Sequence, residues 1–141
     1  YMGDGLIAYF PEPSFITMND LAIDCALTMR GCVYRAINPV LVNHALPTLD
    51  VRIGLDAGEA FIVTMGNPKD KQHKDIIGAV VSLAAKIQSL AQKGGINLGE
   101  VVHRHLHVAW RQACEAISVP SDWPYEKKPG EPYTVYRVTM K

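Results

Sequence analysis

An acid, a hydroxyl and an amine are spaced so that one helix could present them together. In the segment 74–88, KDIIGAVVSLAAKIQ, a helix beginning just after Asp75 advances about 100° per residue, which brings Asp75, Ser82 and Lys86 to within roughly 40° of each other. Each residue also has an ordinary structural role, because Asp75 is a good helix N-cap and a lysine on a polar face is commonly just solvated. The pattern therefore leaves two interpretations open, a chemically active row or a capped, solvated helix.

The opposite side of this predicted helix is apolar. Its members recur at the i, i+3, i+4, i+7 spacing: Val80, Leu83, Ala84, Ile87, Leu90 and Ala91. Such a stripe has to be buried, most simply against a β-sheet. The polar row is then expected to face away from the core.

Composition places the chain in one globular domain of 141 residues, of which 48% are hydrophobic and 20% charged. Lys plus Arg and Asp plus Glu both number 14, so no net charge attracts nucleic acid or an anionic membrane, and we expect neither partner. The three cysteines lack metal-type spacing and are typical of a reducing compartment, which predicts a cytoplasmic location. The sequence contains no run of 18 apolar residues that could span a membrane.

The first half of the chain predicts strands around one long helix. Asp4-Gly5 between apolar runs predicts a hairpin whose second strand passes through Ile7 and Tyr9. A helix is predicted from a cap at Asn19 to about Ala36, ending at Asn38-Pro39. Its predicted buried face comprises Leu21, Cys25, Met29 and Cys32. Two strands, 48–56 and 58–65, are predicted to be joined by a turn at 57–58.

The second half adds a short strand at 96–98, a helix over 99–117 and a closing strand over 133–140. Two hairpins separated by helices, without regular alternation of strand and helix, predict an α+β fold. Its sheet is expected to be mostly antiparallel, with helices against one face.

Three segments, in this order, resemble the catalytic domain of class III nucleotidyl cyclases, the adenylyl and guanylyl cyclases: GDGLIAYF, VRIGLDAGEA and DIIGAVVSLAAKIQ. The resemblance covers most of the chain up to about Glu100 and is weaker beyond it. It implies a ferredoxin-like α+β core that works as a head-to-tail homodimer, with a nucleoside triphosphate bound at the interface. The implied reaction forms a 3′,5′-cyclic nucleotide and pyrophosphate.

The resemblance also implies roles for individual residues. Asp4 matches the second of two aspartates that hold a pair of Mg²⁺ or Mn²⁺ ions. Asp75 matches the residue that reads the purine edge, where a carboxylate can accept from an exocyclic amine and so favours ATP as substrate. Lys128 matches a phosphate-binding lysine.

Two positions depart from the family pattern. Ser82 stands where the family has an asparagine that positions the ribose, and Lys86 stands where it has an arginine that meets charge on the α-phosphate. The first metal aspartate and the base-reading lysine lie upstream of Gly3 in the family. Residues 1–141 are therefore expected to be a single cyclase-homology domain without its first strand and helices.

The departures leave two further functions open. One is a catalytically degenerate domain that binds nucleotide or dimerises as a regulatory module. The other is a cyclase that prefers a pyrimidine base.

Overall fold

The computed structural model describes residues 5–11, 13–67 and 72–140. The strands, in chain order, are β1 (Ile53–Leu55), β2 (Phe61–Met65), β3 (His73–Ile77), β4 (Ile96–Gly99), β5 (Cys114–Ile117), β6 (Glu126–Lys128), β7 (Glu131–Pro132) and β8 (Val135–Val138). The helices are α1 (Phe15–Cys32), α2 (Asn38–Asn43), α3 (Ala79–Ser89), α4 (Glu100–His105) and α5 (Val108–Gln112), with a π-helical segment (Val33–Ile37) between α1 and α2.

A four-stranded sheet in the order β1-β4-β8-β5 forms the centre of the molecule. Strands β1 and β4 run parallel, while β8 is antiparallel to both β4 and β5. The pairs β2–β3 and β6–β7 form separate antiparallel ribbons. The predicted α+β fold with a mostly antiparallel sheet is thus confirmed.

The core occupies both faces of the sheet. On one face, Ile23 and Ala26 of α1 pack with buried side chains of β4, α4 and β8. On the other, Ile87 of α3 packs with Tyr133 and Val135. Because successive strand residues point to opposite faces, α1 and α3 cover opposite sides. The prediction that the helices lie against one face was therefore wrong.

The first helix begins earlier than predicted and buries a different face. It begins at Phe15 after the cap Ser14, whereas Asn19 is buried inside the helix and its side chain donates to the Phe15 carbonyl over 2.7 Å. The predicted inward residues Leu21 and Met29 are 44% and 36% exposed. Apolar residues of α1 occur on all of its sides, so the hydrophobic periodicity alone did not decide which side of the helix would pack against the sheet.

The predicted helix stop at Asn38-Pro39 is also incorrect. The chain continues through the π-helical segment into α2, and the proline lies in the first turn of α2. Proline has no backbone N–H to donate, and it fits here because the π-helical segment directly before α2 already interrupts the regular i→i−4 hydrogen-bond pattern.

Three predictions of secondary structure differ from the structure: one hairpin, one long helix and the first strand. Strand β1 pairs with β4, and β2 pairs with β3, so the hairpin predicted between 48–56 and 58–65 does not form. The predicted helix 99–117 divides into α4, α5 and β5, because Leu106 is extended at ψ 150° and β5 pairs with β8. Residues 6–10 belong to no strand, and Asp4 lies outside the described residues.

The strand predicted at 96–98 is confirmed as β4, and the closing strand is confirmed as β8. Over the part of the chain that the structure describes, no helix has the length and apolar character needed to cross a membrane.

Helix α3 lies very close to β1 at Gly54. A Cβ atom there would meet the Ala84 carbonyl oxygen and would lie 2.5 Å from the Gln88 backbone nitrogen. At Gly31 of α1, by contrast, a Cβ would meet nothing within 4 Å.

We predict that Gly54→Ala lowers the free energy of unfolding by about 2 kcal/mol or more, because backbone atoms of α3 would have to move. Gly31→Ala is the matched control, and we expect it to raise stability by about 0.5–1 kcal/mol because it adds helix propensity without a clash. Urea denaturation of both variants tests the difference. Equal stabilities would contradict the close approach of α3 to β1.

Candidate functional site

Helix α3 holds two of the predicted site residues on the outside of the molecule. Its apolar stripe is inward as predicted, with Ile87 fully buried and Leu83 and Leu90 packed beside it. Ser82 and Lys86 are exposed and lie one turn apart on the outer side. Burial of the stripe therefore fixes where the hydroxyl and the ammonium face.

Asp75 does not belong to this helix. It lies on β3 opposite Val63, and α3 begins only after Gly78. The predicted shared helix face of Asp75, Ser82 and Lys86 was therefore wrong. The physical reason is that residues 73–77 pair with β2, so backbone groups expected to start a helix bond across the ribbon instead. The Asp75 Oδ1 atom accepts from the Ile76 N–H over 2.8 Å.

The β2–β3 ribbon presents Asp75 among exposed apolar side chains. Directly paired residues of an antiparallel ribbon lie on the same face, so the Asp75–Val63 pair shares a face with Phe61–Ile77 and with Met65. Phe61, Ile77 and Met65 are 69%, 54% and 50% exposed. A half-buried carboxylate thus lies on an apolar surface that the other residues described by the structure leave exposed.

The last two predicted residues lie elsewhere. Lys128 is exposed on β6, in a hairpin that turns at Gly130 with φ +78°. Its neighbour Lys127 pairs with Glu131 at 2.6 Å and approaches Glu100 at 4.0 Å. Asp4, the predicted metal ligand, lies outside the described residues.

A cleft of about 500 Å³, here called the α3 cleft, opens between the end of β1, the ribbon and the first turns of α3. Asp56, Phe61, Leu83, Val101 and Tyr133 are among its lining residues. None of Asp75, Ser82, Lys86 or Lys128 lines it. The four predicted site residues that the structure describes are therefore not gathered in this cleft of one copy.

Two carboxyl groups line the α3 cleft, Asp56 and Glu59, and Asp56 is the less exposed of the two. The Tyr133 hydroxyl donates to Asp56 Oδ1 over 2.7 Å and accepts from the Val101 N–H over 3.2 Å. A Cβ at Gly99 would lie 2.7 Å from the Tyr133 hydroxyl and would also meet Asp56. The glycine thus leaves room for this hydrogen bond.

Burial raises the pKa of Asp56 to about 6, against the opposing effect of the hydrogen bonds from Tyr133 and the Ala57 N–H. The negative charge of Glu100 raises this pKa further. Burial likewise raises the pKa of Tyr133 well above its usual range. From sequence alone, Asp56 is only the last residue of the predicted strand 48–56. An acidic residue directly after the apolar strand residues was the signal that could have drawn attention to it.

In 5–11, 13–67 and 72–140, no three His, Cys, Asp or Glu residues lie together in a group that could hold a metal ion. The metal ligands implied by the resemblance are therefore not assembled in the described part of one copy.

Residues 4–133 match the family model described as the adenylate and guanylate cyclase catalytic domain. The chain belongs to this family. The match covers strands β1 to β7, helix α3, Asp56 and Tyr133, and it ends just before β8. The exposed Ser82 and Lys86 of α3 and the half-buried Asp56 are therefore features of a cyclase-family domain.

The relatives agree with this assignment. The chain is 24% identical over 105 residues to "Putative adenylate cyclase 3" of Rhizobium meliloti (strain 1021), a match covering 74% of this chain and 15% of that protein. The guanylyl cyclase Cya2 superposes with a TM-score of 0.74 at 22% identity, covering 98% of this chain and 66% of the other. The adenylyl cyclase CyaB from P. aeruginosa gives a TM-score of 0.69 at 16% identity, covering 94% and 65%.

At such identities the solved structures show the shared fold alone. The chain spans about two thirds of the length of these solved cyclases and a small part of the curated relative.

We predict that Asp56→Asn stabilises the domain near neutral pH and has little effect near pH 4. The folded-state pKa of about 6 lies above the ordinary aspartate pKa of 3.8, so the folded protein holds this proton more tightly. The stability gained from the protonated carboxyl is complete below about pH 4 and is lost as the pH rises through about 6. Asparagine keeps the acceptor for Tyr133 without the charge, which should gain up to about 3 kcal/mol at about pH 7.5.

Urea denaturation of both proteins at the two pH values measures this gain. Asp24→Asn, the same substitution at an exposed site on α1, controls for the general loss of a carboxylate. A gain that is independent of pH would contradict the buried, protonated carboxyl.

Proposed function

We propose that this chain is the catalytic part of a nucleotidyl cyclase that converts a nucleoside triphosphate, ATP in preference, to a 3′,5′-cyclic nucleotide and pyrophosphate. Membership of the cyclase family supports the reaction class. The Asp75 carboxylate supports adenine, because it can accept a hydrogen bond from the exocyclic amine of adenine. Guanine presents a carbonyl oxygen at the corresponding position, which a carboxylate would repel.

One observation carries the proposal: the site residues face outward next to an uncovered apolar ribbon face. Asp75 lies on the face that exposes Phe61 and Ile77, and Ser82 and Lys86 are exposed on the helix that follows. A second copy that covers the ribbon face would bury the carboxylate and enclose the substrate. A symmetric pair would make two such sites.

In the proposed reaction, the ribose 3′-oxygen attacks the α-phosphorus in line with the bridging oxygen of the leaving pyrophosphate. The 3′-hydroxyl proton leaves to water, the new P–O bond closes the cyclic phosphate, and the bond to pyrophosphate breaks. The Lys86 and Lys128 ammonium groups stabilise negative charge on the phosphates. The Ser82 hydroxyl hydrogen-bonds the ribose. Catalysis then consists of positioning and charge stabilisation.

A divalent cation is part of this proposal. Asp4 would contribute one carboxylate ligand to Mg²⁺ or Mn²⁺, and a bound ion would neutralise charge on the triphosphate oxygens. Carboxylate oxygens are the ligands that these cations prefer.

We expect the complete natural protein to form cyclic AMP and pyrophosphate from ATP in the presence of Mn²⁺, measured by chromatography of the products. GTP, CTP and UTP are assayed in parallel, and a larger rate with CTP or UTP would identify the pyrimidine-specific alternative. Asp75→Ala should lower kcat/KM for ATP by about tenfold or more, because a charge-assisted hydrogen bond to the base is lost. Lys74→Ala, on the opposite ribbon face, is the matched control. Absence of cyclic product from all four nucleotides would overturn the proposal.

A degenerate regulatory domain is the second candidate, favoured by Ser82 and Lys86 standing where the family has asparagine and arginine. Lysine keeps the charge of arginine but loses its planar fork of donors. The double variant Ser82→Asn, Lys86→Arg separates the candidates. A higher rate than that of the natural protein indicates a weakened enzyme, whereas no product from either protein indicates a domain that has lost turnover.

The ribbon face is predicted to hold two copies together. Ile77→Glu places a charge beside Asp75 on this face, and we expect it to shift a dimer toward monomer in sedimentation experiments. Ile62→Glu is the control, since Ile62 is similarly exposed, at 51%, but lies on the opposite face. Equal dissociation by both variants would argue against this face as the interface.

A further inference from the structure

A second cleft, of about 610 Å³, lies on the other side of the sheet from α3 and is here called the π cleft. Its wall is formed by the end of α1 and the π-helical segment. Asp50, the Lys93-Gly94 turn and Met140 complete it. It contains none of the residues proposed for cyclase chemistry.

Positive charge is concentrated in this cleft. Arg30, Arg35 and Lys93 line it together with one carboxylate, Asp50, in a chain whose formal net charge is zero. Asp50 is already engaged, because it pairs with Lys93 at 2.8 Å and accepts from the Tyr34 hydroxyl over 3.1 Å. The cationic side chains therefore exceed the negative charge available in the lining to neutralise them.

The arginines retain donors for a ligand. Arg30 donates through Nη2 to the Met140 carbonyl over 2.7 Å, which fixes the guanidinium and leaves its other N–H groups. Within the described ranges, Arg35 makes no hydrogen bond or ion pair. Guanidinium groups suit phosphate and carboxylate oxygens because their N–H groups form a planar fork.

The backbone around the cleft is shaped to keep it open. Gly31 lies in α1, where glycine weakens a helix, yet a Cβ there would meet nothing within 4 Å. Packing therefore does not require this glycine, and its effect is to leave space in the cleft. The next element is a five-residue π-helical segment that carries Tyr34 and Arg35. π-Helical segments are rare in proteins, and those that occur are often found at functional sites.

From these observations we infer that the π cleft binds a small organic anion, with a phosphate or carboxylate on Arg35 and Arg30 and an apolar body over Gly31 and Leu27. Apolar surface from Leu27 and Met140 lies beside the cationic groups, which favours a ligand that has both parts. The site is separate from the proposed catalytic residues. Its occupancy does not depend on cyclase activity.

Titration of ¹⁵N-labelled protein with phenyl phosphate tests this inference, with the amide signals of Gly31 and Gly94 as local probes. We expect saturable shifts at both glycines. Phenol, which has the ring without the charge, should bind about tenfold more weakly or worse. A parallel titration with benzoate shows whether a carboxylate binds as well as a phosphate does.

Two variants locate the contacts. Arg35→Gln should weaken phenyl phosphate about tenfold, and Gly31→Leu should abolish binding by filling the cleft. Arg104→Gln, the same change at an exposed site on α4, should leave the affinity unaltered. Arg35 is exposed, so we expect the Arg35→Gln variant to fold. It therefore tests the site even if Gly31→Leu does not fold.

Three outcomes would overturn the site: no local shifts at Gly31 and Gly94, equal binding of phenol, or equal affinities of the Arg35→Gln and Arg104→Gln variants.

Discussion

The close packing of α3 on β1 is the contact on which the rest of the molecule depends. It is possible because Gly54 has no side chain, which lets the α3 backbone near Ala84 and Gln88 approach the strand. Ile87 is then fully buried. Once the apolar stripe of α3 is buried, Ser82 and Lys86 can only face outward. The contact thus links the stability of the core to the direction of the candidate site.

A second constraint is the hydrogen bond that joins the end of β1 to the start of β8. Tyr133 holds Asp56 and the first turn of α4 together, although Tyr133 and Asp56 are 77 residues apart in sequence. Burial makes the charged form of Asp56 costly, and the tyrosine donor offsets part of that cost. The hydrogen-bonded pair Asp56 and Tyr133 therefore places two ionisable groups among the mostly apolar residues that line the α3 cleft.

The two sides of the sheet carry different chemistry. One side presents the ribbon, α3 and an outward row of polar residues, which suits a site completed by a second copy. The other side carries the π cleft, which two arginines line together with a carboxylate that is already paired with Lys93. A chain of zero formal net charge can still bind anions, because its charges are unevenly distributed over the surface.

The sequence by itself determined the features set by local pattern: the apolar stripe of α3, the outward Ser82 and Lys86, the strands β4 and β8, and the α+β class. The cyclase-like segments determined the family. Only the tertiary structure decided that Asp75 lies on a strand, that β1 pairs with β4, and that Asp56 meets Tyr133. Periodicity reports which residues share a face within one segment. It does not report which distant segment supplies the hydrogen bonds, and pairing with β2 outweighed the helical pattern at residues 73–77.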